Sequence, residues 1–299
     1  MKSIEIVDYS SPFYTGKAMK MGAGVQGFEA HAAADAQGFT VVGGECPSVG
    51  LAGGYTQGGG HSALSSRYGL AADQTLEWEV VDGTGKYHKA TRTENSDLFW
   101  ALSGGGGGTY GVVMSMTSKI HDDTPVSGAS MIITRQGMSQ DVFYKAVSAY
   151  HATLPALVDA GVMSIEVVTP TLFAIGPLTA PGIPDSHLRQ LIKPYLNVLQ
   201  ELGINYTLLV RQFPTYLQQY TAMQFPVQVG TAQYGGRLIP RSVVHNNNEA
   251  LTSVARYINA NGGAFIGVGL NVSKAVAGNV YNAVHPAWRE TLLVTVILT

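Results

Sequence analysis

The chain has 299 residues, 45% hydrophobic and only 13% charged, with a formal net charge of -2. That length holds one large domain or two smaller ones with a substantial core, and the absence of any basic run excludes nucleic acid as a partner. A single cysteine excludes an internal disulfide and a cysteine-based zinc site, the apolar runs are too short to span a membrane, and the opening MKSIEIVDYSSPFY lacks the apolar core of a signal peptide. In chain order, 4–7 and 18–21 are predicted strands around the turn-rich SSPFYTG. VQGFEAHAAADAQ at 25–37 is a predicted amphipathic helix with Val25, Phe28, Ala32 and Ala36 on its apolar face. A strand at 40–42 feeds a glycine-rich stretch. LEWEVVD at 76–82 and the return at 86–90 form a hairpin about Gly83-Thr84-Gly85. NSDLFWAL at 95–102 is a short helix capped by Asn95 or Ser96, with Phe99 and Trp100 assigned to the core. GVVMSMTSKI at 111–120 is a strand.

A composition change at 121–128, HDDTPVSG, marks a domain boundary. Beyond it strands are predicted at 129–134, 162–168, 171–177, 204–210, 264–271 and 291–298. Helices are predicted at 139–154, 185–202 and 246–261, the second capped by Asp185 or Ser186. Strands and helices segregated in this way predict an α+β fold, with helices covering a largely antiparallel sheet.

Glycine is the outlier, with 36 residues. Eight lie between 43 and 60 (Gly43, Gly44, Gly50, Gly53, Gly54, Gly58, Gly59 and Gly60), and Gly104–Gly108 are consecutive. Glycine this dense costs backbone entropy and is used where a flat or phosphate-bearing ligand must touch the backbone. A Walker loop would need Gly-Lys-Ser/Thr, and a dinucleotide fingerprint needs G-x-G-x-x-G between a strand and a helix. Neither cluster fits, which leaves a different cofactor cradle or a packing loop. No metal-ligand cluster is evident.

Taken in order, GECPSVGLAGGYTQGGGHS at 44–62, YGLAADQ at 68–74, DLFWALSGGGGGTYGVV at 97–113, GGRLIPRS at 235–242 and HPAWRETLL at 285–293 resemble the berberine-bridge-enzyme-like family. These are FAD-linked oxidoreductases of the vanillyl-alcohol-oxidase/PCMH superfamily. The resemblance implies a partial PCMH-type FAD-binding domain at 1–121. An α+β substrate domain would follow at 125–299, its sheet roofing the isoalloxazine ring. Cys46 sits where bicovalent members attach flavin C6 through sulfur. Val49, Gly50, Gly53, Gly54, Gly58, Gly59 and Gly60 would lie against the flavin and its ribityl-phosphate arm. His61 would donate to the cofactor or cap the next turn, and Ser62 follows it. Gly111, Val112 and Val113 would bring backbone to the adenine side. Tyr68, Gly69 and Asp73 read as structural.

Arg237 would hold an anionic substrate group or the reduced flavin, or else form a salt bridge. Tyr206, Tyr234 and Asn271 stand on strands expected to face the flavin, and no general base stands out. Glu166 is another option for the base, or else a solvent-facing strand residue, which is the favoured reading. The implied activity is hydride transfer from a small-molecule substrate (natural product, carbohydrate or alcohol) to flavin N5, with O2 as acceptor, by a protein that is a monomer if complete. The family's Arg-Ser-Gly-Gly-His-like loop, which precedes the cysteine, and its C-terminal Tyr-Gly-x-Asn-Tyr-like motif are not found. The expectation is therefore a chain truncated at both ends. Its alternatives are a non-catalytic remnant with weak or no flavin binding and a cyclase on the same fold. An intact form could be secreted, where the sequons at Asn205 and Asn271 would matter.

Overall fold

The computed structural model describes residues 1–224 and 234–298. The chain forms two compact units. The first comprises Met1–Thr124 with two later returns, Thr215–Tyr220 and Val272–Trp288; the second comprises Pro125–Pro214, Thr221–Asn271 and Arg289–Thr299. An uninterrupted second domain from 125 to 299 is therefore not what the chain makes.

In the first unit β1 (Ile4–Ser11) and β2 (Tyr14–Gly22) pair antiparallel. The hairpin is longer than the predicted strands, because only Pro12 and Phe13 form its turn. Next comes α1 (Gly27–Asp35), entered where the Gln26 N–H donates to Glu29 Oε2 at 2.8 Å. Its buried residues are Gly27, Ala30, His31 and Ala34, while Phe28 is 49% exposed. The predicted apolar face is thus corrected: an alanine-rich helix has little amphipathic contrast to orient it, and the small-residue stripe packs inward. The unit continues with β3 (Phe39–Val41), α2 (Ser65–Tyr68), α3 (Ala71–Gln74), β4 (Thr75–Val81), β5 (Tyr87–Ala90), α4 (Ser96–Leu102) and β6 (Val112–Asp122). Its sheet runs β1-β2-β6-β4-β5, with β3 also on β6. Met19, Met21, Trp78, Val80, Phe99 and Leu102 centre its core. Trp78 Nε1 donates to Ser103 Oγ at 3.0 Å. Trp100 is not core; it is 43% exposed, since successive helical residues point about 100° apart and Phe99 takes the inward direction.

The second unit contains β7 (Val126–Thr134), α5 (Gln140–Asp159), β8 (Met163–Val168), β9 (Leu172–Pro181), α6 (Asp185–Glu201) and β10 (Thr207–Phe213). Next in the chain is α7 (Tyr216–Met223), whose first residues belong to the first unit. Then follow β11 (Tyr234–Pro240), α8 (Arg241–Ala260) and β12 (Ala264–Gly269). The short α9 (Lys274–Ala277) lies in the first unit, and β13 (Thr291–Leu298) closes the second. Among the described residues this sheet is antiparallel throughout, in the order β10-β7-β9-β8-β12-β13-β11. The helices α5, α6 and α8 pack on it. In α6 the stripe Leu188, Ile192, Tyr195 and Leu199 is buried, at the spacing that keeps one helical face inward. Its N-cap is Pro184, not Asp185 or Ser186. The α8 helix starts before the predicted 246 because a kink at Asn247 (φ -153°, ψ 43°) separates its first turns from the periodic part. The fold is α+β.

Candidate flavin site

The 43–62 stretch, expected as loop, contains a π-helical turn at Leu51–Tyr55. Tyr55 explains several of its glycines. A Cβ at Gly44 would stand 3.0 Å from the Tyr55 ring, and one at Gly60 (φ +72°) 2.9 Å from it. The ring is therefore clamped between the start and end of the loop, and its hydroxyl donates to the His61 carbonyl at 2.8 Å. Other glycines serve no such packing. At Gly53 and Gly54 nothing stands within 4 Å of a Cβ position, and the same holds at Gly106 and Gly108. The two clusters also meet. A Cβ on Gly107 would lie 2.9 Å from Gly54 Cα, and the Gly106 N–H donates to the Gln57 carbonyl at 2.7 Å. Two glycine segments far apart in sequence thus form one stretch of bare backbone.

Around Cys46 the first unit assembles ionisable and aromatic side chains. Cys46 is partly exposed, with Sγ 3.6 Å from Ser48 Oγ. Glu45 Oε2 lies 3.7 Å from His61 Nδ1, beyond hydrogen-bond range. Glu45 Oε1 and His61 Nδ1 are buried with no hydrogen-bond partner. Tyr220 donates to the Glu45 carbonyl at 2.7 Å. Its phenol is pushed up to about 12 by burial, then by the Glu45 and Cys46 charges. Burial holds the Tyr55 and Tyr216 phenols well above their ordinary value, with Glu45 adding to both. His31 packs on Tyr216 and Tyr220, at 5.4 and 5.2 Å between ring centroids, and burial pulls its imidazole down to about 4. The Trp288 ring lies 6.4 Å from that of His61.

The remaining sequence candidates fall into different roles. Val49 and Gly50 tie the loop to α1: the Val49 carbonyl accepts from Gly27 N–H at 2.9 Å, and Gly50 bridges Gln26. Gly58 packs on the Gly54 carbonyl, where a Cβ would come within 2.8 Å. Gly59 has φ +114° with only ordinary contacts. Ser62 organises the entry to α2, donating its N–H to Ser65 Oγ and accepting from Leu64 N–H. Gly111 is required by packing, since a Cβ would meet Val80 Cγ1 at 2.7 Å. Val112 is exposed and Val113 buried. Asp73 accepts from Leu70 N–H and from Asn282 Nδ2 at 2.9 and 2.7 Å.

The second-unit candidates are not brought together. Tyr206 precedes β10 and Tyr234 and Arg237 lie on β11, which are opposite edges of the sheet. Six strand spacings of about 4.8 Å put those edges on the order of 29 Å apart. The Asn271 amide donates to Asp159 Oδ1 at 2.9 Å, beside the two-pronged Arg241–Asp159 pair. Glu166 does not face solvent. It is 1% exposed, and its Oε1 is 2.7 Å from Nε2 of the equally buried His151. Sequence reading missed Glu45, Tyr55, Tyr216 and Tyr220 as parts of the Cys46 surroundings. The one available signal was the i, i+4 spacing of the last two.

Bare backbone beside orphaned, buried polar atoms fits a flat ligand that both stacks and hydrogen-bonds, as an isoalloxazine does. Comparison with known proteins agrees. Residues 1–91 match the FAD binding domain family. The FAD-linked oxidoreductase sthB of Phaeosphaeria nodorum is 45% identical over 231 residues, covering 77% of this chain and 73% of sthB. The chain belongs to the FAD-linked oxidoreductases of the vanillyl-alcohol-oxidase/PCMH family. The FAD-linked oxidoreductase patO of Aspergillus clavatus is 50% identical over 302 residues, covering all of this chain and 53% of patO. The crystal structure of the VAO-type flavoprotein MtVAO615 from Myceliophthora thermophila superposes with a TM-score of 0.91 at 40% identity, covering 99% of this chain and 55% of that one. The chain thus spans about half the length of patO and of several other relatives that it matches. As a family member it takes FAD as its cofactor.

Proposed function

We propose that the protein is an oxidase that removes hydride from a C–H bond of a small organic molecule, a natural product, carbohydrate or alcohol, and passes the electrons to O2. FAD supplies the electron acceptor for that step. The observation that carries this reading is the joined backbone of Gly53–Gly54 and Gly106–Gly108, open to a ligand on a protein otherwise densely packed there. In this reading the bare backbone seats the ring and excludes water from one of its faces. Glu45 and His61 satisfy their orphaned atoms against ligand polar groups, and Cys46 is the point of attachment to flavin C6 through sulfur. A linked flavin has a raised potential, suited to substrates that resist oxidation.

The test is to express the chain, precipitate it with acid and inspect the pellet. Yellow colour retained by the parent and released by Cys46→Ala supports the thioether. Turnover of alcohols or sugars with one H2O2 per substrate supports the oxidase. A soluble, colourless protein that takes up no added FAD overturns the reading in favour of a non-catalytic remnant.

A further inference from the structure

One cavity of the first unit is lined by none of the cradle glycines. It encloses about 460 Å³ between the tip of the β1–β2 hairpin, the segment after β5 and the turn at 277–280. Its chemistry is set by three cations, Lys89, Arg92 and Lys119. Lys89 is neutralised by Glu77 at 2.8 Å. Neither the Arg92 nor the Lys119 side chain has a hydrogen bond or ion pair among the described residues, although both are partly buried. An unpaired cation drawn out of water is costly, and here two of them line one cavity: burial first and then Arg92 lower the Lys119 ammonium, with Asp73 opposing them.

Aromatic rings hold the two cations in place. The Arg92 guanidinium lies 5.1 Å from the centroid of the Phe13 ring, and the Lys119 ammonium 5.3 Å from that of Tyr14. A cation seated on a ring face keeps its N–H donors free at the edge, so both are pre-organised without being neutralised. Glu94 is the one carboxylate in the lining, and it lies within electrostatic reach of Lys89. With Lys89 already neutralised by Glu77, Glu94 leaves the cavity an excess of about one positive charge, concentrated on Arg92 and Lys119, which calls for an anionic ligand. The volume far exceeds an inorganic ion, and the walls formed by Tyr9, Phe13 and Tyr14 suit an apolar or aromatic body.

We propose that this cavity binds a small organic phosphate monoester, its dianion held by Arg92 and Lys119 and its body against the hairpin-tip aromatics. A phosphate monoester carries about -1.5 to -2 at neutral pH and three acceptor oxygens, which matches one guanidinium fork and one ammonium. The site is separate from the proposed flavin chemistry and does not depend on it.

The experiment is calorimetric titration of the purified chain with phenyl phosphate at low salt. Saturable binding is expected, with no binding of phenol, which has the ring without the charge. Arg92→Gln and Lys119→Gln should each weaken binding at least about tenfold, as loss of a charge-assisted contact does, whereas Lys86→Gln on the exposed turn should not. Added FAD should leave the affinity unchanged. Thermal melts establish that each variant is folded, and Lys119→Met decides the matter if Arg92→Gln does not fold. Absence of binding, equal weakening by Lys86→Gln, indifference to both cavity substitutions, competition by FAD, or binding of citrate in place of phenyl phosphate each overturns the proposal.

Discussion

Gly54 and Gly107 stand against each other, yet they are glycines for different reasons. The Cβ direction of Gly54 is open, whereas that of Gly107 runs into backbone at 2.9 Å. Gly54→Ala should therefore leave the urea midpoint within about 1 kcal/mol of the parent while reducing the flavin retained per chain several-fold. Gly107→Ala should lose about 1–3 kcal/mol from the forced separation of two backbones. The opposite pattern, an unstable Gly54→Ala that keeps its flavin, would show that the bare backbone is packing rather than cradle. His31 gives a second prediction. Its folded-state pKa of about 4 lies below the ordinary 6.5. Above pH 6.5 the ring is neutral in both states and costs nothing. As pH falls from 6.5 toward 4 the unfolded chain takes up a proton that the folded chain refuses, so stability declines by about 1.4 kcal/mol per pH unit, on the order of 3 kcal/mol by pH 4. His121, also held at about 4 by burial and then by Lys119 and Arg67, adds a parallel decline. Urea midpoints measured from pH 7 to 4 should show this slope, and His31→Gln should flatten it by roughly half; an unchanged slope would mean that His31 is already protonated when buried.

Between α5 and β8 the second unit buries a polar pair in its core. His151 Nε2 meets Glu166 Oε1 at 2.7 Å with both side chains fully enclosed. The space for the carboxylate comes from the neighbouring strand, where a Cβ on Gly267 would reach Glu166 Oε1 at 2.6 Å. Removing one partner leaves a buried polar group alone, whereas removing both leaves an apolar core. His151→Leu should thus cost about 3–5 kcal/mol, and His151→Leu with Glu166→Leu markedly less than the sum of the two single changes. Additive losses in urea unfolding would mean that the two side chains do not act as a pair. The same elements show what a sequence can convey. The strand at 162–168 and most of α5 were legible, the helix predicted at 139–154 against an observed Gln140–Asp159, because each is a local pattern. That Glu166 points inward was not, because its partner is 15 residues away on a different element. A charged residue in an alternating strand reads as solvent-facing until that partner is known. For α1 the difficulty is reversed, since alanines on every side leave the period without a preferred direction.

Across the whole chain, sequence reading recovered both glycine clusters, the α+β class and the family, since these rest on contiguous motifs. It did not recover the two returns of the chain to the first unit: YLQQY at 216–220 carries no motif, and HPAW at 285–288, though part of a family motif, does not tell that its segment meets residues far earlier, at separations from 175 to 209 positions. Yet the first unit depends on them. Tyr216 and Tyr220 cover His31, and Tyr220 holds the Glu45 carbonyl beside Cys46. Val284 fills the space left by Gly104, where a Cβ would meet its Cγ2 at 2.5 Å, and Asn282 secures Asp73 at 2.7 Å. A fragment of residues 1–124, the piece that a contiguous domain reading would excise, loses all of these. Burying a large apolar or aromatic side chain contributes about 1.5–3 kcal/mol, so losing two tyrosines and a valine removes an amount comparable to the 5–15 kcal/mol by which whole domains are stable. The fragment should therefore show no cooperative thermal transition and should bind a dye specific for exposed apolar surface, whereas the full chain melts sharply. Joining 215–220 and 272–288 to it through flexible linkers should restore a transition. A fragment of 1–124 that melts cooperatively on its own would show that the returning segments decorate the unit rather than complete it.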